Sequence, residues 1–264
     1  MLNKIKTGRF GICLLVMVLL LTLPALAAMI STKQEIQIGQ SSSQQIEKKY
    51  GLVKNEHLAQ QINDLGQSLV KHGSRGIPYS FKVLNQDIIN AFAFPGGFIY
   101  VTKGICKVMS INQLSFVLGH EITHVERRHS VKALERSMMS QIGGALLSSF
   151  IKGGDRNQIS TMLGMTNFVI SNRYSQAQEK EADDGGVVLM CQAGYDPGYG
   201  VEALQILKKN DNGKGDSQFM NSLLSTHPLT KDRIDDIQAR VAGLREEYQL
   251  YEHNRGNSSS LLSK

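Results

Sequence analysis

Tryptophan is absent from this sequence, and aromatic residues make up only 6% of it. That scarcity argues against a sugar-binding face or a base-stacking platform. No window repeats at a fixed period, which excludes solenoids and propellers. Only three cysteines occur, Cys13, Cys106 and Cys191, too few for a four-cysteine zinc site or a disulfide scaffold. Neither sign of charge dominates: 29 basic and 23 acidic residues give +6. Lys4, Lys6 and Arg9 carry three of those positives, and without them about +3 remains, too little for a nucleic-acid footprint. No nucleic-acid partner is therefore expected. The rest is ordinary. Over 264 residues, 41% hydrophobic and 20% charged, the chain can bury a real core in one or two domains.

The N-terminus reads as an address. Arg9 is followed by an uncharged stretch that ends only at Lys33. Its centre, Leu14 to Leu23, is almost purely aliphatic, Pro24 breaks it, and Ala25-Leu26-Ala27 places small residues two apart. This is the order of a secretory signal peptide over residues 1–27, with cleavage after Ala27 and export to the periplasm or beyond. The alternative is an uncleaved anchor, since Phe10 to Ile30 is long enough to span a bilayer. A lipid anchor does not fit, because Cys13 precedes the apolar run. The mature chain keeps Cys106 and Cys191, which could pair in an oxidising compartment or stay as two buried thiols.

Residues 33–72 carry apolar positions at helical spacing, notably Leu58, Ile62, Leu65 and Leu69. The period then falls to two over Tyr79–Leu84 and Phe98–Thr102, with Asn90–Phe94 a third extended candidate closed by Pro95-Gly96-Gly97. From Gly104 onward the pattern is helical, including a helix over Gln176–Ala193 that stops at Gly194. A surface loop is expected at residues 210–217. Thr226-His227-Pro228 is read as opening a last long helix with Pro in its first turn. The stripe from Met138 to Phe150 is too short to cross a bilayer. It reads as core, with peripheral membrane contact as the alternative. The expectation is one α+β domain, mostly helical with about three strands, over residues 28–254, and a flexible tail at 255–264.

The sharpest signal is Gly119-His120-Glu121-Ile122-Thr123-His124. Two His four apart on a helix share a face, so both imidazoles can reach one ion. Glu121, beside the first His, can address a water at that ion without ligating it. By chance such a motif would occur in roughly one chain like this in a hundred. A catalytic zinc needs a third protein ligand and an open position. His129 is five residues past His124, off the ligand face of a continuous helix. His57, His72 and His253 have no second ligand nearby. The better source is Glu179-Lys180-Glu181-Ala182-Asp183. Glu179 and Asp183 are four apart, so one carboxylate could bind metal while the other holds a ligating His by its second nitrogen. Glu181 points elsewhere. The bland alternative for these acids is a solvated helix N-terminus.

These residues resemble the gluzincin metalloproteases of the CAAX prenyl protease, HtpX and BepA type. The resemblance runs from about Glu35 to Arg240. It rests on Asn90–Ala93 with Pro95-Gly96-Gly97, on the Gly119–Val125 motif, on Glu179–Asp183, and on Thr226-His227-Pro228 with Arg233. It implies a zincin-like fold and one Zn2+ per chain on His120, His124 and Glu179, with Glu121 as the catalytic glutamate. It also implies that Asp183 is the aspartate of the glutamate helix and that His227 is a histidine able to approach the zinc as a latch. Reading the residues alone, His227 could instead cap the helix that follows. Two departures stand out. The family's Arg three residues before the glutamate ligand is Gln176 here, leaving Arg173 as a possible substitute. Too few residues follow Arg240 for C-terminal helical repeats.

The resulting expectation is a zinc endopeptidase acting on unfolded or misassembled envelope proteins, with polypeptide as substrate. The rival is a zinc-containing chaperone or assembly factor whose site is kept latched.

Overall fold

The computed structural model describes residues 30–139, 164, 166–169, 171–210 and 223–248. The expected leader at 1–27, most of the Met138–Phe150 stripe and of the expected loop at 210–217, His253 and the expected tail at 255–264 lie outside the described residues.

Helix α1 (Thr32–Tyr50) starts at Ser31, whose hydroxyl accepts from the Gln34 amide while the Gln34 side chain returns to the Ser31 amide. Its buried face is small and polar, with Glu35, Gly39, Ser42 and Ser43 beside Ile38 and Ile46. A Cβ on Gly39 would come within 1.8 Å of the Pro95 carbonyl oxygen, so only glycine lets this helix lie against the hairpin turn at Pro95. Helix α2 (Glu56–Val70) is capped by Asn55 and buries Leu58, Ile62, Leu65 and Leu69, the stripe expected from sequence.

Three strands follow: β1 (Ser80–Leu84), β2 (Ala91–Phe94) and β3 (Phe98–Thr102), in the order β1-β3-β2. β1 runs parallel to β3, while β2 and β3 form an antiparallel hairpin with Phe92 opposite Tyr100. The hairpin turns through Gly96 and Gly97, whose φ of 77° and 92° favour glycine. Alternation sends Ala91, Ala93, Ile99 and Val101 into the main core with α2. Phe92, Phe94 and Tyr100 face the other way and pack with Ile46 of α1. β2 is an edge of the sheet.

A short helix α3 (Lys103–Val108) leads to α4 (Ile111–Glu126), the centre of the molecule and buried from Leu114 to Val125. Leu114, Phe116, Leu118 and Ile122 are essentially inaccessible. Full burial of each contributes about 1.5–3 kcal/mol, which offsets the cost of enclosing His120, Glu121 and His124 on the same helix. α5 (His129–Met139) follows a sharp break: Arg128 has φ 55°, the left-handed region, at a cost of about 1–2 kcal/mol for a non-glycine residue. The motif helix therefore ends at Glu126.

Helix α6 (Gln176–Gln192) matches its sequence expectation within one residue, with Gly194 at φ 86° just beyond. It crosses α4 along a glycine seam. A Cβ on Gly119 would meet the Gly186 carbonyl oxygen at 2.8 Å, and one on Gly186 would meet the His120 amide nitrogen at 2.8 Å. Gly185 makes similar room for the Thr123 side chain. Each mid-helix glycine costs about 1 kcal/mol of propensity, offset here by the close approach that brings the two motif helices together. The rest comprises α7 (Gly198–Lys209), α8 (Leu223–Thr226) and α9 (Lys231–Tyr248). The last helix begins three residues after Pro228, so Pro228 lies before it and not in its first turn. Cys106 and Cys191 are both buried thiols and do not form a disulfide; burial pushes Cys106 up to about 12. Among the described residues, no helix is long and apolar enough to cross a membrane.

Candidate metal centre

Two helices and one loop build the centre. α4 presents His120 and His124 one turn apart, and their Nε2 atoms stand 3.0 Å from each other. α6 presents Glu179 in its first turn, with Ser175 as the N-cap. The segment between α8 and α9 brings His227. Its Nδ1 lies 3.2 Å from His120 Nε2 and 3.0 Å from Glu179 Oε1. Glu179 oxygens lie 3.6 and 3.7 Å from the two motif imidazoles. One donor atom from each of His120, His124, Glu179 and His227 falls within 4.8 Å of all the others, and all four residues are buried.

This donor set fits zinc. Tetrahedral bonds of about 2.0–2.1 Å to nitrogen and oxygen place ligand atoms about 3.3 Å apart, and the separations above bracket that spacing. His120 Nε2 carries a single lone pair or a single proton and faces two imidazole nitrogens, so it can bond only one of them in good geometry. A cation resolves the conflict.

Glu121 is 1% exposed, and neither of its oxygens has a hydrogen-bond partner. Its Oε1 is 3.6 Å from His227 Nε2. Burial raises its pKa above the ordinary carboxylate value, against the pull of His227 and His120. Burial would also raise Glu179, but His227, His120 and Arg233 outweigh it and hold Glu179 low. Burial holds His124 well below the usual imidazole value, so its ring is neutral and able to ligate. For His227 burial opposes protonation, and the Glu179 and Glu121 carboxylates win, raising its pKa.

Asp183 does not join the four donors. Its Oδ1 stands 2.9 Å from His120 Nδ1, and the Arg233 guanidinium clamps both its oxygens at 2.7 and 2.8 Å. Arg233 Nη1 also reaches Glu179 Oε2 at 2.7 Å. Burial works to raise Asp183, and Arg233 with His120 holds it low. Glu179 and Asp183 are therefore not a solvated helix end. The cation that meets both acids is Arg233 on α9, whereas Arg173 donates to the Ser225 carbonyl. His227 does not cap α9 either; Thr230 Oγ1 accepts from the Arg233 amide there.

Neither His129 nor Glu181 joins the four donors. The break at Arg128 nevertheless brings His129 Nδ1 to 2.8 Å from His124 Nδ1, and Glu181 Oε2 lies 3.1 Å from His129 Nε2, two contacts that helical spacing did not suggest. Sequence reasoning also missed Tyr174, whose ring stacks on His124 at 4.0 Å while its hydroxyl bonds Ser130. No motif marked it. His57 and His72 are exposed on or beside α2, far from this role.

The profile of peptidase family M48 matches residues 52–241, more than two thirds of the chain. The chain belongs to peptidase family M48. M48 enzymes use zinc, and the buried donors above could hold a metal ion. Among similar proteins is the beta-barrel assembly-enhancing protease of Escherichia coli (strain K12), 32% identical over 226 residues, covering 82% of this chain and 45% of that protein. Metalloprotease LoiP of the same organism is 26% identical over 191 residues, covering 71% of this chain and 72% of LoiP. The mitochondrial metalloendopeptidase OMA1 of Arabidopsis thaliana is 29% identical over 177 residues, 67% of this chain and 34% of that protein. The chain thus spans just under half the length of the first of these M48 relatives.

Proposed function

We propose that the chain is a zinc endopeptidase of the cell envelope that hydrolyses unfolded or misassembled proteins. The observation that carries this reading is Glu121: a buried carboxylate with both oxygens unpartnered, beside four converging metal donors. His120, His124 and Glu179 would hold the metal. Zinc, when bound, supplies a Lewis acid that polarises the scissile carbonyl and makes water acidic near neutral pH. Glu121 takes the proton of the attacking water as the oxygen–carbon bond forms, then passes it to the leaving nitrogen as the carbon–nitrogen bond breaks. Asp183, clamped by Arg233, accepts the Nδ1 proton of His120 and keeps its Nε2 lone pair turned to the metal.

The edge strand β2 supports peptide binding. No other strand among the described residues pairs along its outer side, and β2 packs against α4, the helix that carries Glu121. A substrate added there by main-chain hydrogen bonds would be read with little regard for sequence, as suits unfolded clients. An apolar cleft lined by Phe116, Val117, Leu204, Leu207 and Leu223 adjoins His120 and Glu121. The order of charge, aliphatic run and small residues at 1–27 supports export, and a mature start near Ala28 is read by N-terminal sequencing. The relatives named for beta-barrel assembly support beta-barrel proteins under assembly as the substrate class.

His227 is a gate. Its ring takes the fourth place in the donor set, which favours a closed resting state. Removing it opens that place to water, so His227→Ala should cleave casein several-fold faster with little change in melting temperature; slower cleavage would make it an oxyanion donor instead. The function itself is tested by casein hydrolysis with and without a chelator. Cleavage abolished by chelation and restored by zinc is expected. No cleavage by wild type or by His227→Ala, with zinc bound, would favour a latched chaperone.

A further inference from the structure

The metal reading assigns ligands but leaves open what fixes the ring of His124. We propose that His129 is a positioning residue for His124, and that His124, His129 and Glu181 form a hydrogen-bonded relay that sets the tautomer presented to the zinc. The inference rests on that metal reading.

The proton accounting permits one arrangement. His124 Nε2 faces the donor cluster and must offer a lone pair there. Its proton is then on Nδ1, and His129 Nδ1 stands 2.8 Å away to accept it. His129 in turn carries its own proton on Nε2, which donates to Glu181 Oε2 at 3.1 Å. One tautomer of each ring satisfies the whole line, from a buried ligand to a carboxylate that is 56% exposed. The other motif histidine is supported differently, by direct donation to Asp183. Tyr174, stacked on the His124 ring, fixes its plane but offers that ring no acceptor.

The backbone is built for this contact. Five residues along a continuous helix, His129 would face away. The left-handed Arg128 turns it back, and both sides of the break are pinned. Glu126 accepts from Ser74, from the Arg75 amide and from the Tyr79 hydroxyl. Arg128 bonds Glu35 and the Ile30 carbonyl. His129 ends up 1% exposed, held where a merely solvated histidine would not be.

The test is zinc affinity of the full chain, measured by competition with a chromophoric chelator, beside the melting temperature of the metal-free protein. His129→Leu should weaken zinc binding roughly 10–100-fold, the range for lost outer partners of a metal ligand, while the metal-free melting temperature changes little. His129→Asn should recover most of the affinity, because its amide oxygen falls near the place of Nδ1 and accepts the same proton. Glu181→Ala, a largely exposed change that should leave folding intact if His129→Leu does not, should weaken zinc in the same direction by less. Wild-type affinity in both His129→Leu and Glu181→Ala would overturn the relay. Equal weakening in the Leu and Asn variants would overturn it too, since the effect would then be one of shape. A wild-type chain that binds no zinc would instead overturn the metal reading beneath it.

Discussion

Two buried charge clusters lie within one small domain, and they are finished to different degrees. The first gathers on Glu35 of α1, which is inaccessible to solvent. Its Oε1 accepts from Arg75 Nη1 at 2.7 Å and the Gly96 amide at 3.1 Å; its Oε2 accepts from Arg75 Nη2 at 2.9 Å and Arg128 Nε at 3.1 Å. Every lone pair of that carboxylate is used. The second gathers on His120, His124, Glu179 and His227, with Glu121 beside them and both its oxygens unpartnered. Burying charge is costly in either place. Where the partners are all supplied by the chain, the cluster ties elements together. Where they are not, the chain has kept chemistry in reserve. Similar burial thus supports opposite readings, and the hydrogen-bond account separates them.

The sharpest way to break this comparison is to neutralise one carboxylate in each cluster. Glu121→Gln should lower casein cleavage about 10²–10⁴-fold, the usual contribution of a positioned proton carrier, while zinc content and melting temperature hold. Loss of zinc or of folding in that variant would place Glu121 with the structural acids. Glu35→Ala should do the reverse. It strands Arg75 and Arg128 beside the hairpin turn, and breaking a buried pair from one side costs about 3–5 kcal/mol. Chemical denaturation should report that loss. A change under about 1 kcal/mol would show the hub to be ornamental.

Much of this arrangement was open to reading before any coordinates. The α2 stripe, the hairpin around Pro95-Gly96-Gly97, the paired motif histidines and the Glu179–Asp183 spacing are local patterns, each decided within a turn or two of chain. What escaped is non-local. Arg233 meets Asp183 from 50 residues away, and Arg75 meets Glu35 from 40. His129 was hidden for another reason: nothing in Val125-Glu126-Arg127-Arg128 signals a stop, because the left-handed residue is an arginine held by tertiary contacts and not a glycine. Tyr174 carries no motif at all.

The smallest expected effect concerns acid. Burial by itself would raise Glu35, but Arg75, the Gly96 amide and Arg128 outweigh it and hold its pKa below the ordinary 4.5. A carboxyl depressed on folding contributes stability that is present above its unfolded value and is lost as pH falls through the folded one. Melting temperature measured from pH 6 downward should therefore drop below about pH 4.5 more steeply in wild type than in Glu35→Gln. Parallel curves would mean that Glu35 titrates alike in both states and that the hub gains nothing from its charge.

The place of Glu35 in the chain also bears on where this domain begins. The M48 profile starts at residue 52, after α1 has ended at Tyr50. Yet α1 supplies the acid that holds Arg128, Arg128 shapes the turn that returns His129 to His124, and Gly39 on the same helix seats the hairpin that ends in the edge strand. A boundary drawn at the start of that profile would cut through a physical unit. The smallest piece that folds is set by which charges would be orphaned at the cut, and by that measure α1 belongs to the same unit as the metal donors.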